Sequence, residues 1–257
     1  MSFVGSLLST SFLATSQPES IIAFGAGQQI DSHLDLHLRH FPSLKHCTIV
    51  NRSRNDRALS LHKKINDKFT NITVDFLSTH NNDDGEGARS LSPEIKNALG
   101  RADLIICATS STVPLFPSSY VRDGTHIILI GSYKPEMKEV DRDLISRSLK
   151  GTLLVDSIEA CLCEAGELID ASVHPEELKE LGQLLPVDSQ GDLDERALDR
   201  MLDVRRRRKV DSERSFEGPV SIFKSVGLGI QDVAIADAVV EKALDSKGRI
   251  GTVIPNY

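Results

Sequence analysis

The chain has 257 residues, 40% of them hydrophobic, with 30 basic against 37 acidic side chains and a formal net charge of −7. That length suits one large α/β domain, or one domain with part of a second, and the apolar share is enough for a substantial core. The acidic balance excludes a general nucleic-acid binder, which needs a basic surface, and no apolar run reaches the ~18–20 residues that cross a bilayer.

The opening stretch, MSFVGSLLSTSFLATS, lacks the basic segment of a signal peptide and leads straight into a strand at Ile21. Phe3, Val4, Leu7, Leu8, Phe12 and Leu13 recur at helical spacing, which predicts a packed amphipathic helix. Short apolar runs follow at 21–24, 47–50, 72–76, 104–108, 126–130 and 153–155. Helical patterns fill the gaps at 28–39, 56–69, 92–99, 140–149 and 158–169. Near-continuous apolar strands separated by helices predict an α/β fold. Its parallel sheet is covered on both faces in the doubly wound, Rossmann-type arrangement that binds dinucleotides.

Residues 80–90, HNNDDGEGARS, are turn formers and acids and read as a solvent loop. Residues 186–218 are polar. The basic run Arg205, Arg206, Arg207, Arg208 and Lys209 is surrounded there by Asp199, Asp203, Asp211 and Glu213, so it reads as a solvated helix end. The last segment, VSIFKSVGLGIQDVAIADAVVEKAL, is apolar on nearly all sides over 226–244, and a helix of that kind must be buried against something.

Cys47, Cys107, Cys161 and Cys163 are too few and too irregularly placed for a disulfide framework and read as reduced thiols of a cytoplasmic protein. Cys161 and Cys163 with His174 do not make a four-ligand zinc set, so both read as buried thiols, and no metal is expected. His126, inside an apolar strand, reads as a satisfied core residue.

The turn at FGAGQQI is the first candidate for chemistry. Gly25 and Gly27 sit where strand becomes helix and can bring the chain close to a diphosphate. The N–H groups around Ala26, Gln28 and Gln29 lie at the positive end of the following helix, which suits an anion. Ile30 replaces a third glycine and implies looser helix–strand packing. A bare GxG also fits an ordinary turn, and the second motif decides between the two. An NAD-selective site carries an acid at the end of the second strand, whereas this chain has Asn51, Arg52 and Ser53, with Arg54 beside them. A guanidinium pairs with a 2′-phosphate through two parallel bonds, so NADP(H) is preferred and NAD(H) remains compatible; one of the two arginines points to solvent. Thr109, Ser110 and Ser111 after the fourth strand, Ile130, Gly131 and Ser132 after the fifth, and Asp156 after the sixth line the crevice at the strands' carboxyl ends. Turn capping competes for some of those hydroxyls.

The pieces FGAGQQIDSHL, VNRS, ADLIICATSSTVPLF, DGTHIILIGSYKPEMKEVD, LLVDSIEACLCEAGEL and FKSVGLGIQDVAIADA resemble the ornithine cyclodeaminase/mu-crystallin family, in family order and over nearly the whole chain. The resemblance implies a Rossmann-type domain plus a second lobe for substrate binding and dimerisation. Residues 1–18 would be an inter-lobe helix, 19–215 the dinucleotide domain, and 216–257 the last segment of the second lobe. It also implies nicotinamide-dependent chemistry on an amino acid or cyclic imine, with Ser225 near the nicotinamide. Family members carry about a hundred residues, the size of a small domain, before the helix matching 2–15. The basic groups that hold a substrate carboxylate would lie there, and no Arg or Lys precedes Ile21 here. The chain is therefore expected to be a shortened form, homodimeric if that lobe is supplied.

Tyr133 aligns with the catalytic acid of the ornithine-cyclising members. A phenol of pKa ~10 does not replace a carboxylate, so cyclisation is disfavoured and ketimine reduction stays compatible. Tyr133 is a weak candidate proton donor that also reads as a packing residue. Lys134 is a weak candidate for the substrate carboxylate that also reads as solvated. Two accounts remain, an NAD(P)-dependent oxidoreductase and a non-catalytic NADP(H)-binding or dimerisation module.

Overall fold

The computed structural model describes residues 2–14, 17–79, 91–206 and 215–246. The predicted loop at 80–90 and the basic run from Arg207 to Lys209 lie outside the described residues. The chain runs α1 (Ser2–Leu13), β1 (Ser20–Phe24), α2 (Gln28–His40), β2 (His46–Asn51), α3 (Asp56–Lys68), β3 (Thr73–Ser78), α4 (Pro93–Arg101) and β4 (Leu104–Cys107). It continues through β5 (His126–Leu129), α5 (Arg142–Leu149), β6 (Thr152–Val155), α6 (Ile158–Glu164), α7 (Gly166–Asp170), β7 (Lys179–Glu180), α8 (Glu195–Arg206), β8 (Ser221–Lys224) and α9 (Gly229–Asp245). The strands form one parallel sheet in the order β3-β2-β1-β4-β5-β8-β6-β7. Both faces carry an apolar core, as continuous runs such as Ile21–Phe24 require. Side chains cap the helices that enter these faces: Asn55 caps α3, Ser92 α4, Asp141 α5 and Ser157 α6.

The six predicted strands are all present, and two more join them. After β5 the chain skips a position, forms β6 and β7, and returns as β8 between β5 and β6. The SIFK stretch is thus a buried central strand and not the approach to a terminal helix. One compact unit accordingly runs from Ser2 to Val226, and the expected boundaries after 18 and after 215 both fall inside it. The helix predicted over 158–169 is broken at Ala165. A Cβ at Gly166 would run into the carbonyl oxygens of Met137 and Pro135, so only glycine lets that loop approach.

The amino-terminal helix forms and packs Leu7, Leu8, Phe12 and Leu13 on the core as expected, but it also buries a polar row that the spacing did not predict. Ser6, Ser9 and Thr10 are fully buried along with Phe12, while Val4 is 48% exposed. The polar face is inward because the surface beneath it is polar. The Nε2 of His33 pairs with Ser6 Oγ at 2.9 Å, that of His37 with Thr10 Oγ1 at 3.1 Å, and that of His126 with Ser9 Oγ at 3.1 Å. His126 is the satisfied core residue its apolar strand suggested. Cys47, Cys107 and Cys161 are buried free thiols, whereas Cys163 is exposed, contrary to its expected burial, because α6 turns it away from the sheet.

The second unit begins at Gly227 and contains α9. Ile230, Val233, Val239, Val240 and Leu244 on this helix are exposed. Among the described residues no helix is long and apolar enough to cross a membrane, and no His/Cys/Asp/Glu group is placed to hold a metal.

Candidate functional site

The strand-to-helix turn at β1 is shaped by two glycines with different constraints. Gly25 has φ +114°, and its N–H donates to the Val50 carbonyl at 2.8 Å. A Cβ there would lie 2.9 Å from the Ala108 carbonyl oxygen, so the close approach of β4 and the left-handed backbone both demand glycine. Gly27 is the N-cap of α2, extended and without a side-chain cap, and a Cβ on it would meet no protein atom within 4 Å. An uncapped helix start facing open space is a cradle for an anion. The turn therefore fits a dinucleotide's diphosphate. Ala26 is buried beneath it, and Gln28 and Gln29 are exposed on the first helical turn. Ile30 is fully buried among Ile21, Ala23 and Leu34, so it fills the place of a third glycine with core packing.

At the end of β2, Asn51 Nδ2 donates to the Ser53 carbonyl at 2.9 Å and shapes the turn. Arg52 and Ser53 are exposed. The two arginines part company: Arg54 lies 5.6 Å over the Phe76 ring, while the Arg52 guanidinium has no partner among the described residues.

At the carboxyl ends of β4, β5 and β8 lies a buried ionic cluster that motif reading did not find. Glu139, fully buried, accepts from Thr109 N at 2.6 Å, Thr109 Oγ1 at 2.8 Å and Gly131 N at 2.7 Å. It thus clamps the loop after β4 to the loop after β5. A Cβ on Gly131 would overlap the Thr109 backbone and Glu139. Lys224, also fully buried, donates from Nζ to the carbonyl oxygen and the Oγ of Ser132, both at 2.6 Å. Its Nζ lies 3.3 Å from Glu167 Oε1, an ion pair without a hydrogen bond, and neither Glu167 oxygen has a hydrogen-bond partner. Burial pushes Glu139 up to about 7, against the opposing pull of Lys224.

The other predicted positions fall around this cluster. Ser110 is exposed, and Ser111 Oγ donates to the Val113 carbonyl at 2.6 Å, closing its own turn. Ile130 is buried. Asp156 accepts from Ser157 N at 2.9 Å, from Cys161 Sγ at 3.2 Å and from Ser225 Oγ at 2.7 Å. Ser225 is thereby bonded inward, beside Lys224. Tyr133 is 48% exposed, with the Lys134 amine 5.9 Å over its ring, so the pair forms a surface step on the loop after β5. Lys224 was detectable as a charge inside an apolar run, since a buried lysine must find a partner. Glu139 carries no such signal because it sits among polar neighbours, and Glu167 reads as one more acid on a short helix whose burial no local spacing marks. A cleft of about 470 Å³ lies at the opposite edge, where β1 and β2 begin, with Arg122 paired to Asp103; it holds none of the predicted site residues.

The model of the Ornithine cyclodeaminase/mu-crystallin family matches residues 4–247. An uncharacterized cyclodeaminase of Dictyostelium discoideum is 30% identical over 254 residues, covering 94% of this chain and 63% of that protein. The ketimine reductase mu-crystallin of Macropus fuliginosus is 26% identical over 236 residues, covering 92% of this chain and 59% of its own length. The chain thus spans about three fifths of the length of these relatives. The solved Thermococcus litoralis Delta(1)-pyrroline-2-carboxylate reductase, in complex with NADH and L-proline, superposes with a TM-score of 0.70 at 21% identity. That match covers 98% of this chain and 66% of the other, and it shares the fold. The parallel sheet, the glycine turn and the match over nearly the whole chain lead to one statement: this protein belongs to the ornithine cyclodeaminase/mu-crystallin family.

Proposed function

We propose that the chain binds a nicotinamide dinucleotide across the carboxyl edge of its sheet and serves reduction of the C=N bond of a small cyclic imine or the reverse oxidation of an amino acid. The uncapped start of α2 beside Gly27 carries this reading, since its free N–H groups face open space where an anion fits. Two relatives support the reaction class by their names, a ketimine reductase and a pyrroline-2-carboxylate reductase. Gly25, Ala26, Gly27, Gln28 and Gln29 would hold the diphosphate. Asn51, Arg52 and Ser53 would hold the adenosine ribose, with Thr109, Ser110, Ser111, Ile130, Gly131, Ser132, Asp156 and Ser225 lining the nicotinamide end. When bound, the cofactor supplies or accepts the hydride equivalent. The chain's own groups orient it, exclude water and hold a proton at the buried cluster.

The free Arg52 guanidinium favours NADP(H), because a 2′-phosphate would give it the partner that the described residues do not provide. Tyr133 stands where a cyclising enzyme needs a carboxylate, so ornithine cyclisation is not part of the reading. Reduced thiols suit a cytoplasmic setting, and the exposed apolar side chains of α9 suit association into a homodimer. Quenching of NADPH fluorescence on titration tests binding, and the absence of saturation removes the proposal. NADPH oxidation that depends on an added cyclic imine separates an enzyme from a cofactor-binding module.

A further inference from the structure

We propose that Glu139, Glu167 and Lys224 form an internal proton store, from which Glu139 delivers a proton to the crevice through the hydroxyl of Thr109. The inference deepens the reductase reading given above and rests on it. The first observation is charge. Two carboxyls and one ammonium are each essentially excluded from solvent. With all three ionised the cluster carries an uncompensated negative charge, which a protein interior strongly disfavours. One proton is therefore kept in the cluster near neutral pH, and it sits on Glu139, which burial raises to about 7.

The second observation is geometry. Glu167 makes the direct ion pair with Lys224, while Lys224 gives its hydrogen bonds to Ser132. Glu139 has no cation in contact, only three donors: two backbone N–H groups and the Thr109 hydroxyl. The N–H groups cannot accept a proton, and the hydroxyl can. Rotation of Thr109 Oγ1–H reverses the 2.8 Å bond, so a protonated Glu139 donates to Thr109 Oγ1 and the hydroxyl's own hydrogen turns outward. Thr109 is half-buried at the crevice rim, between the hidden acid and the place where a substrate would lie. The groups that act on Glu139 are Lys224 from β8 and Glu167 from α7, with the Cys107 thiol of β4 nearby; burial holds that thiol protonated. Cys161 of α6 faces Lys224 and Asp156 and is also held protonated.

The transfer balances. The Glu139 O–H bond breaks as an O–H bond forms on Thr109, and Thr109 passes its original hydrogen to the imine nitrogen. Electrons for the carbon centre come from the reduced nicotinamide dinucleotide, the co-reactant. Glu139 is left as a carboxylate and regains its proton from solvent after the amine departs. Glu139 is thus a positioning and storage group, and Thr109 is the one that reaches the substrate.

Glutamate labelled with 13C at the side-chain carboxyl, followed by NMR across pH, reads the store without any cofactor. One carboxyl should titrate near neutrality, vanish in Glu139→Gln and move upward in Lys224→Met; midpoints for all glutamates below about 5 overturn the proposal. Thr109→Val should shift that midpoint and Thr109→Ser should leave it; no difference between the two removes Thr109 from the path. In turnover with NADPH and a cyclic imine carboxylate, kcat should fall as pH rises through about 7 and Glu139 loses its proton, and Thr109→Val should lower kcat by about 100-fold or more and abolish that dependence. Thr109→Ser, which keeps the hydroxyl, should restore both; wild-type turnover in the valine variant sinks the relay. If the unaltered protein reduces no imine, the reductase reading fails, while the NMR titration still decides whether the proton store exists.

Discussion

The Lys224 amine lies 2.6 Å from both the carbonyl oxygen and the Oγ of Ser132, with neither residue exposed. The contact joins β8 to the loop that leaves β5, two strands that are neighbours only because the chain skipped a position and came back to fill it. A late strand therefore fixes an early crevice loop. Lys224→Met should remove both bonds and strand the Glu167 carboxylate, at a cost of about 3–5 kcal/mol. The double variant Lys224→Met/Glu167→Leu should recover part of that loss, since it removes the orphaned charge. Urea unfolding of these two variants and of Glu167→Leu alone measures the difference. Strict additivity would show that the 3.3 Å pair is energetically silent.

The two glycines of the turn should separate folding from binding. Gly25→Ala forces a side chain into a backbone at φ +114° and to within 2.9 Å of the Ala108 carbonyl, so it should destabilise the fold by about 1–3 kcal/mol. Gly27→Val has an ordinary backbone and its Cβ meets no protein atom within 4 Å, so it should lower stability only by the roughly 1 kcal/mol of a poorer N-cap. Its side chain would occupy the space proposed for the diphosphate, and binding of both NADPH and NADH should be lost. Thermal melting and fluorescence titration of the same samples read the two effects apart.

Arg52→Ala should weaken NADPH far more than NADH, by about 10-fold or more, because only the former carries a phosphate for the guanidinium. Arg54→Ala should disturb neither cofactor selectively. Its guanidinium rests on Phe76, and its loss should cost only about 0.5–1 kcal/mol of stability. Equal losses for both cofactors in Arg52→Ala would remove the assigned role.

The sheet was readable because its strands are apolar on both faces, and Ile21–Phe24 or Leu104–Cys107 have no other stable place. The glycine turn was readable for a similar reason, since a left-handed backbone at Gly25 leaves a residue-type signature. β8 was missed because SIFK runs on into the apolar VGLGI, and nothing in a local window marks where a strand gives way to a helix. The ionic cluster was missed because Glu139 and Glu167 meet Lys224 only through the return crossover, a long-range pairing without a sequence period. The buried polar row of α1 was missed for a physical reason too. Periodicity assumes an apolar partner surface, and His33, His37 and His126 make this one polar.

Those histidines set the last expectation, the response to acid. The Nδ1 of His33 bonds the Gln29 carbonyl and that of His37 bonds the His33 carbonyl, so both are N–H donors there; the Nε2 of His33 accepts from the Ser6 hydroxyl, and that of His37 shares the single Thr10 hydroxyl hydrogen with the Ser6 carbonyl. His126 is held between Ser9 and Ser221. Each ring is neutral and satisfied, and burial lowers His33 to about 4 and His37 and His126 to about 3, from an ordinary 6.5. Above the ordinary value folded and unfolded chains bind the same protons at these sites, and stability does not respond. Below it the unfolded chain takes up protons that the folded chain refuses, so stability falls with falling pH, until the folded values near 3–4 are reached. Three such groups together contribute up to roughly 4 kcal/mol per pH unit between about pH 6 and 4. Glu139 acts the other way: raised to about 7, it favours the fold at acid pH and loses that contribution as pH climbs from its ordinary 4.5 toward 7. The histidines dominate below pH 6 by number. Denaturant unfolding at successive pH values should therefore show a steep acid limb, and His37→Gln should lower its slope by about one proton at pH 5. An unchanged slope would mean that His37 is protonated in the folded chain, with the Thr10 hydroxyl turned to accept from it.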